Sequence, residues 1–306
     1  MADILDGKKL ADEIKENVRK EVAGLKESGV DVGLGLLLTG DSPSAVQYYM
    51  TTLGACKKTG ITSYEFRLPE TISQNELLNV IHEINRDERI HGLLMLMPLP
   101  RKVNARRVIN ALIPEKDVDG LGSISVGRFA ADESTIQLFR QDTENMIQQL
   151  RMTASASSFL PCTPFGVIRL LEYYKVPIKG RHVVVVGKSL AVGKPLSMML
   201  LAKEATVTIC HKETKDLGSM TRQADILCTA AGRAGLITGD MVKKGAVVVD
   251  VGINMLPDGT MAGDAEFSSV SQQASLITPV PGGVGPVTIA MLLENTLRSA
   301  QRNALL

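Results

Sequence analysis

The chain lacks any pairing pattern among its cysteines: Cys56, Cys162, Cys210 and Cys228 are scattered over 306 residues, with no C-x-x-C spacing. Isolated thiols of this kind fit a reduced compartment better than a disulfide framework or a zinc site. The four histidines (His82, His91, His182 and His211) are equally dispersed, so no metal cluster is expected. No apolar run approaches the ~20 residues that a membrane span requires. The opening residues, Met1 to Asp6, have neither the charge nor the apolar stretch of a secretory leader. Long basic runs are missing too, and a formal net charge of +1 leaves no electrostatic footprint for nucleic acid. Internal repeats are absent. The expectation is a cytoplasmic enzyme or binding protein, long enough for two domains of ordinary size.

What is present is a steady alternation of helical and strand patterns. Leu10, Ile14, Val18, Val22 and Leu25 recur at helical spacing and predict an amphipathic first helix. Strands are expected at 32–39, 61–66 and 90–97, and helices at 45–58 and 104–112. A further helix, ending near Asn85, is opened by Ser73 and Glu76 in capping-box spacing. Residues 132–158 are polar, rich in Gln, Ser and Thr, and read as a linker or surface excursion. Beyond them Thr163 is the expected N-cap of a helix with Pro164 at its first position. Strands follow at 183–186, 206–210, 225–230, 246–251 and 276–278, then a last helix from Val287 to about Arg298. This order predicts an α/β protein built on a doubly wound parallel sheet.

The most informative stretch is Val183-Val184-Val185-Val186-Gly187-Lys188-Ser189, continued by Gly193 and Pro195. Four valines predict a strand buried on both faces. The chain then turns at Gly187, offers Ser189 as an N-cap and enters a helix. Strand, glycine turn and helix N-terminus together hold a dinucleotide pyrophosphate on backbone N–H groups. The spacing is G-x-S-x-x-x-G rather than G-x-G-x-x-G, so the turn alone is equally compatible with an ordinary structural βα connection.

Other segments add to it: Tyr48, His91-Gly92-Leu93-Leu94-Met95-Leu96-Met97-Pro98-Leu99-Pro100, Lys116-Asp117-Val118-Asp119-Gly120, Pro161-Cys162-Thr163-Pro164, Gly252-Ile253-Asn254 and Pro279-Val280-Pro281-Gly282-Gly283-Val284-Gly285-Pro286. In this order they resemble the methylenetetrahydrofolate dehydrogenase/cyclohydrolases over nearly the whole chain. The resemblance implies two α/β domains, the second Rossmann-like, with a cleft between them. Residues 1–130, rejoined by a C-terminal helix at 287–306, would form the folate-binding catalytic domain, and 159–286 the NAD(P)-binding domain. The polar segment 131–158 looks like an insertion. A homodimer is implied, as are two steps: oxidation of methylenetetrahydrofolate to the methenyl form, then hydrolysis to formyltetrahydrofolate.

The resemblance also assigns residues. Tyr48 stacks on the pterin and Asp119 hydrogen-bonds its donor edge, whereas without the resemblance they read as a half-buried aromatic and a turn cap. Pro281, Gly282 and Gly283 line the folate site, although glycines there also permit a tight turn. Gly187, Lys188, Ser189, Gly193, His211, Lys212 and Ile253 surround the dinucleotide. Lys188 and Lys212 are surface cations on the simplest reading, but they suit a 2′-phosphate and favour NADP. NAD stays possible, because Glu213 is acidic, the type NAD enzymes place on the ribose.

Three positions depart from the family pattern. The catalytic lysine one helical turn after the tyrosine is Thr52, the glutamine before L-P-L-P is Leu96, and the serine before the tyrosine is Ala45. Lys57 and Lys58 lie off the helical face shared by Tyr48 and Thr52 at ~100° per residue, so neither replaces the lost amine. Hydride transfer needs positioning rather than a proton-moving side chain. Hydrolysis needs activated water, a step to which a placed acid or base contributes about 10²–10⁴-fold. The expectation is an NADP-dependent dehydrogenase with its cyclohydrolase step lost or weak. A bifunctional enzyme with altered residues, a silent folate- or nucleotide-binding relative, and dehydrogenation of a different pterin are the alternatives.

Overall fold

The computed structural model describes residues 1–131 and 159–304, so the polar segment expected at 132–158 lies outside the described residues. These residues form two compact units. One comprises Met1–Ala11 and Thr163–Thr288; the other comprises Asp12–Ala131, residues 159–162 and residues 289–304.

In the second of these, strands β2 (Gly33–Thr39), β3 (Thr62–Leu68) and β4 (Gly92–Met95) form a parallel sheet in the order β3-β2-β4. Every residue of β2 is buried, as its leucine-rich sequence requires of a central parallel strand. On one face, Leu37, Leu93 and Met95 pack with Leu77, Ile81 and Ile84 of α3 (Gln74–Arg86). Both halves of the Ser73/Glu76 capping box form, so α3 begins where its sequence indicates. Helix α2 (Pro43–Thr59), the next after the amphipathic α1 (Gly7–Glu27), starts two residues before its expected bound with Pro43 in its first turn, and stops at Gly60, whose φ of 81° favours glycine.

The other unit carries a six-stranded parallel sheet in the order β1-β11-β8-β7-β5-β6. Its strands are β1 (Asp3–Ile4), β5 (His182–Val186), β6 (Thr206–Cys210), β7 (Ile226–Thr229), β8 (Val247–Asp250) and β11 (Leu276–Ile277), while β9 (Asn254–Met255) and β10 (Met261–Ala262) form a separate antiparallel pair. Val184, Val186, Leu227, Val248 and Ile277 share one core with Ile237 and Val270. Residues 1–11 group here because β1 pairs with β11, whereas their position in sequence suggests the other unit. Two helices begin earlier than their prolines suggest, at Cys162 (Cys162–Tyr173) rather than Pro164, and at Val284 (Val284–Asn303) rather than Val287. Pro164 and Pro286 each occupy the third helical residue, where no intrahelical N–H is needed, so proline does not fix the first position.

Candidate active site

In the six-stranded sheet the chain passes from β5 to β6 on one side and then returns to β7 on the other. The crevice beyond the carboxyl ends of β5 and β7 is therefore the topological switch point, where open α/β sheets bind ligands. Gly187 lies there with φ of 128°, and a Cβ on it would run into the carbonyl oxygen of Ala230. A Cβ on Gly193 would run into the carbonyl of Gly187 itself. With side chains excluded at both points, the turn is a bare backbone cradle ahead of the helix Gly193–Ala202, and it fits a dinucleotide pyrophosphate.

Ser189 is not the N-cap residue, which is Val192. Its hydroxyl still accepts the N–H groups of Val192 and Gly193, at 3.1 and 3.4 Å, and so braces the turn from three residues ahead of the cap. Lys188 is exposed beside the cradle. Lys212 is also exposed and lies 3.6 Å from Glu213, so the acidic neighbour partly offsets its charge. His211 is half-buried, with Nδ1 accepting the Glu213 N–H at 3.3 Å, while Ile253 is 54% exposed. In the same unit, Gly282 has φ of 115°, and its carbonyl accepts the N–H groups of Gly7 and Lys8 at 3.0 and 3.2 Å. Pro281 follows a cis peptide bond.

The three-stranded unit repeats the topology, since β2 is flanked by β3 and then by β4. Leu96, just past β4, donates its N–H to Leu37 and is 2% exposed. On α2, Tyr48 is half-buried, and Thr52 one turn later is fully buried. The Thr52 hydroxyl donates back to the Tyr48 carbonyl at 2.9 Å, which closes it off within its own helix. Lys57 and Lys58 are exposed, away from that buried face.

Asp119 sits in a loop pinned on both sides. The Asp117 carboxylate accepts the N–H groups of Leu121 and Gly122 and the Ser125 hydroxyl, at 3.1, 2.8 and 2.6 Å. From the C-terminal helix, Asn295 donates to the Val118 carbonyl at 2.8 Å, and the Cys162 thiol donates to the same oxygen at 3.2 Å. Burial, reinforced by the charge of Asp117, pushes the Asp119 carboxyl up to about 7, with the neighbouring Cys162 thiol opposing the shift. Burial and then the Asp119 charge push the Tyr48 phenol well above its usual range. Tyr48 is thus a neutral donor at physiological pH, and Asp119 is poised to titrate.

Sequence reading did not assign roles to Asn295, Cys162 or Asp117. Asn295 carries the one available signal, an amide flanked by Leu292, Leu293 and Leu297 on the last helix.

The glycine cradle at a switch point defines a dinucleotide-binding α/β protein, paired in one chain with a second parallel α/β unit. Residues 161–304 match the model of the tetrahydrofolate dehydrogenase/cyclohydrolase NAD(P)-binding domain, and residues 5–119 match that of the corresponding catalytic domain. A bifunctional FolD protein of Moorella thermoacetica is 46% identical over 98% of this chain and 99% of its own length. The crystal structure of FolD from Campylobacter jejuni, a methylenetetrahydrofolate dehydrogenase/cyclohydrolase, superposes with a TM-score of 0.87 at 43% identity, covering 99% of this chain and 100% of that one. That of Trypanosoma brucei, complexed with NADP and an inhibitor, gives 0.88 at 31% identity, covering 99% and 98%. The chain belongs to the tetrahydrofolate dehydrogenase/cyclohydrolase family, and its cofactor is a nicotinamide dinucleotide. Among the described residues no helix is long and apolar enough to cross a membrane.

Proposed function

We propose that this protein oxidises methylenetetrahydrofolate to the methenyl form with NADP, and that its hydrolytic step is lost or weak. The observation carrying this reading is the chemistry at positions 52 and 96. A fully buried threonine whose hydroxyl is spent on its own helix, and a buried leucine, stand where the family pattern has a lysine and a glutamine. A threonine hydroxyl titrates far outside the range useful for activating water, and leucine neither donates nor accepts. The two changes are chemically matched, since a buried glutamine amide left without its lysine would cost ~1–3 kcal/mol.

The residues that oxidation requires are in place. Tyr48 offers an aromatic face and a neutral hydroxyl to the pterin, and Asp119, in its pinned loop, accepts from the donor edge. The Gly187–Gly193 turn holds the pyrophosphate, and Lys188 and Lys212 attract a 2′-phosphate, favouring NADP over NAD. When bound, the nicotinamide accepts the hydride; the chain's part is to align donor and acceptor carbons and to keep water off the cationic product. The bifunctional naming of the relatives favours the second reading, an enzyme that retains hydrolysis with altered residues. The intact cradle, Tyr48 and Asp119 speak against a silent binding protein. In solution the protein is expected as a homodimer, which sedimentation would test.

Separate assays of the two steps decide between the readings. Methenyl product should accumulate with no hydrolysis above the spontaneous rate, and hydrolysis as fast as oxidation would refute the proposal. Thr52→Lys with Leu96→Gln should recover hydrolysis, and each single change should recover less, because the side chains act as a unit.

A further inference from the structure

Asp264 is fully buried. Its carboxylate takes three consecutive backbone N–H groups, those of Ala231, Gly232 and Arg233, at 2.5, 3.0 and 2.8 Å. The same group accepts the Asn254 side-chain amide at 3.0 Å. Successive N–H groups converging on one anion form a nest, and Gly232, with φ of 67°, supplies its left-handed residue. Residues 231–233 follow β7 and Ala230, the residue against which Gly187 is packed. Asn254 follows β8 and belongs to the Gly252-Ile253-Asn254 segment. One buried carboxylate therefore ties together two of the loops at the carboxyl edge of the sheet, where the dinucleotide cradle lies.

Asp264 is itself seated by a second carboxylate. Asp250, at the end of β8, accepts the N–H groups of Asp264, Ala265 and Gly252, at 3.0, 2.7 and 2.9 Å, and the Thr229 hydroxyl at 3.0 Å. The glycines record the closeness of this packing: a Cβ on Gly252 would strike the Asp264 carboxylate, and one on Gly263 the Asp250 carboxylate. Without Asp264, three adjacent N–H groups would have no partner of comparable strength, since charge-assisted bonds are roughly twice as strong as neutral ones.

We propose that Asp264 is the positioning residue of the dinucleotide site: it does not touch the cofactor but fixes the loops after β7 and β8 in the geometry that receives it. This rests on the nucleotide-dependent reading above and adds a residue the cradle motif does not contain. An asparagine cannot accept four bonds with one oxygen, so Asp264→Asn should loosen both loops. The test titrates full-length wild type, Asp264→Asn, Asn254→Ala and the double variant with NADPH by fluorescence, alongside KM values for nucleotide and folate. The NADPH Kd should rise about tenfold in Asp264→Asn and about threefold in Asn254→Ala. The double variant should be no weaker than Asp264→Asn alone, because both changes act through one carboxylate.

Nucleotide KM should rise with Kd, while folate KM changes much less. An unchanged Kd in both single variants, additive effects in the double, or equal rises in both KM values would overturn the proposal. If Asp264→Asn fails to fold, Asn254→Ala carries the test alone, and an unchanged Kd there overturns it. Wild-type protein that binds NADPH without oxidising methylenetetrahydrofolate would refute the assigned reaction instead, and the binding titration would still decide the role of Asp264.

Discussion

If Asp119 recognises the pterin as a carboxylate, substrate capture should titrate with it. Its carboxyl is pushed up to about 7 in the free protein, so kcat/KM for folate should rise with pH through that value. Roughly a tenth of the protein is competent one unit below the midpoint and nine-tenths one unit above, so kcat/KM should differ about tenfold between those points. Donors on the pterin favour the ionised carboxylate, so the midpoint seen in kcat should lie below that seen in kcat/KM. Asp119→Asn removes the titration and the charge together. Its profile should be flat, with a plateau lower by the ~1.5–3 kcal/mol of a bond to a charged group, about ten- to a hundredfold.

The same carboxyl affects stability with a definite sign. Its folded-state value is raised, so its favourable contribution is complete in acid and is lost as pH rises through about 7. Asp119→Asn should therefore gain stability over the wild type above neutrality and not below pH 4, near the ordinary carboxyl value. Initial rates of nucleotide reduction across pH, with urea unfolding at acid and alkaline pH, measure both effects. A wild-type kcat/KM that is flat through neutrality, or an inflection surviving in Asp119→Asn, would refute the reasoning.

Other outcomes follow from single features. Replacing Lys188 and Lys212 with alanine should weaken NADP by ~2–4 kcal/mol and leave NAD nearly untouched in competitive binding; a wild-type preference for NAD would sink the 2′-phosphate assignment. Gly187→Ala should abolish nucleotide binding and cost at least ~1–3 kcal/mol in urea unfolding, because φ of 128° is strained for alanine and its Cβ meets the Ala230 carbonyl. Ser73→Ala should cost ~1 kcal/mol through loss of the α3 cap, with the rate of oxidation unchanged.

The parts of the fold legible in the sequence are those specified by neighbours along the chain. Thr206–Cys210 falls where alternation and its bounding residues place it, and the Ser73 cap locates α3 to the residue. The turn at Gly187 was legible because four preceding valines mark the strand it ends, whereas its place at the switch point depends on the strand order. What stayed hidden depends on distant partners. Nothing within ten residues of Asp264 tells that its carboxylate serves a loop some thirty positions earlier, and Asn295 reaches Val118 across most of the chain. Ser189 shows the intermediate case: its residue type signalled capping, but the helix starts later than that signal implied.

The pairing of β1 with β11 bears on how the protein can be cut and made. Asp3 and Leu5 donate their N–H groups to Ser275 and Ile277, and Ala2 donates to Ser271, so the first five residues close the outer edge of the six-stranded sheet. A ribosome delivers that edge strand some 270 residues before its partner, which makes completion of this sheet a late, long-range event in synthesis. A fragment starting near residue 161 would carry the whole dinucleotide cradle but leave β11 as an open strand edge. Such an edge recruits any extended segment within reach, including another copy of itself. Supplying residues 1–6 as a separate peptide should restore that fragment's solubility, as a missing strand handed back to its sheet.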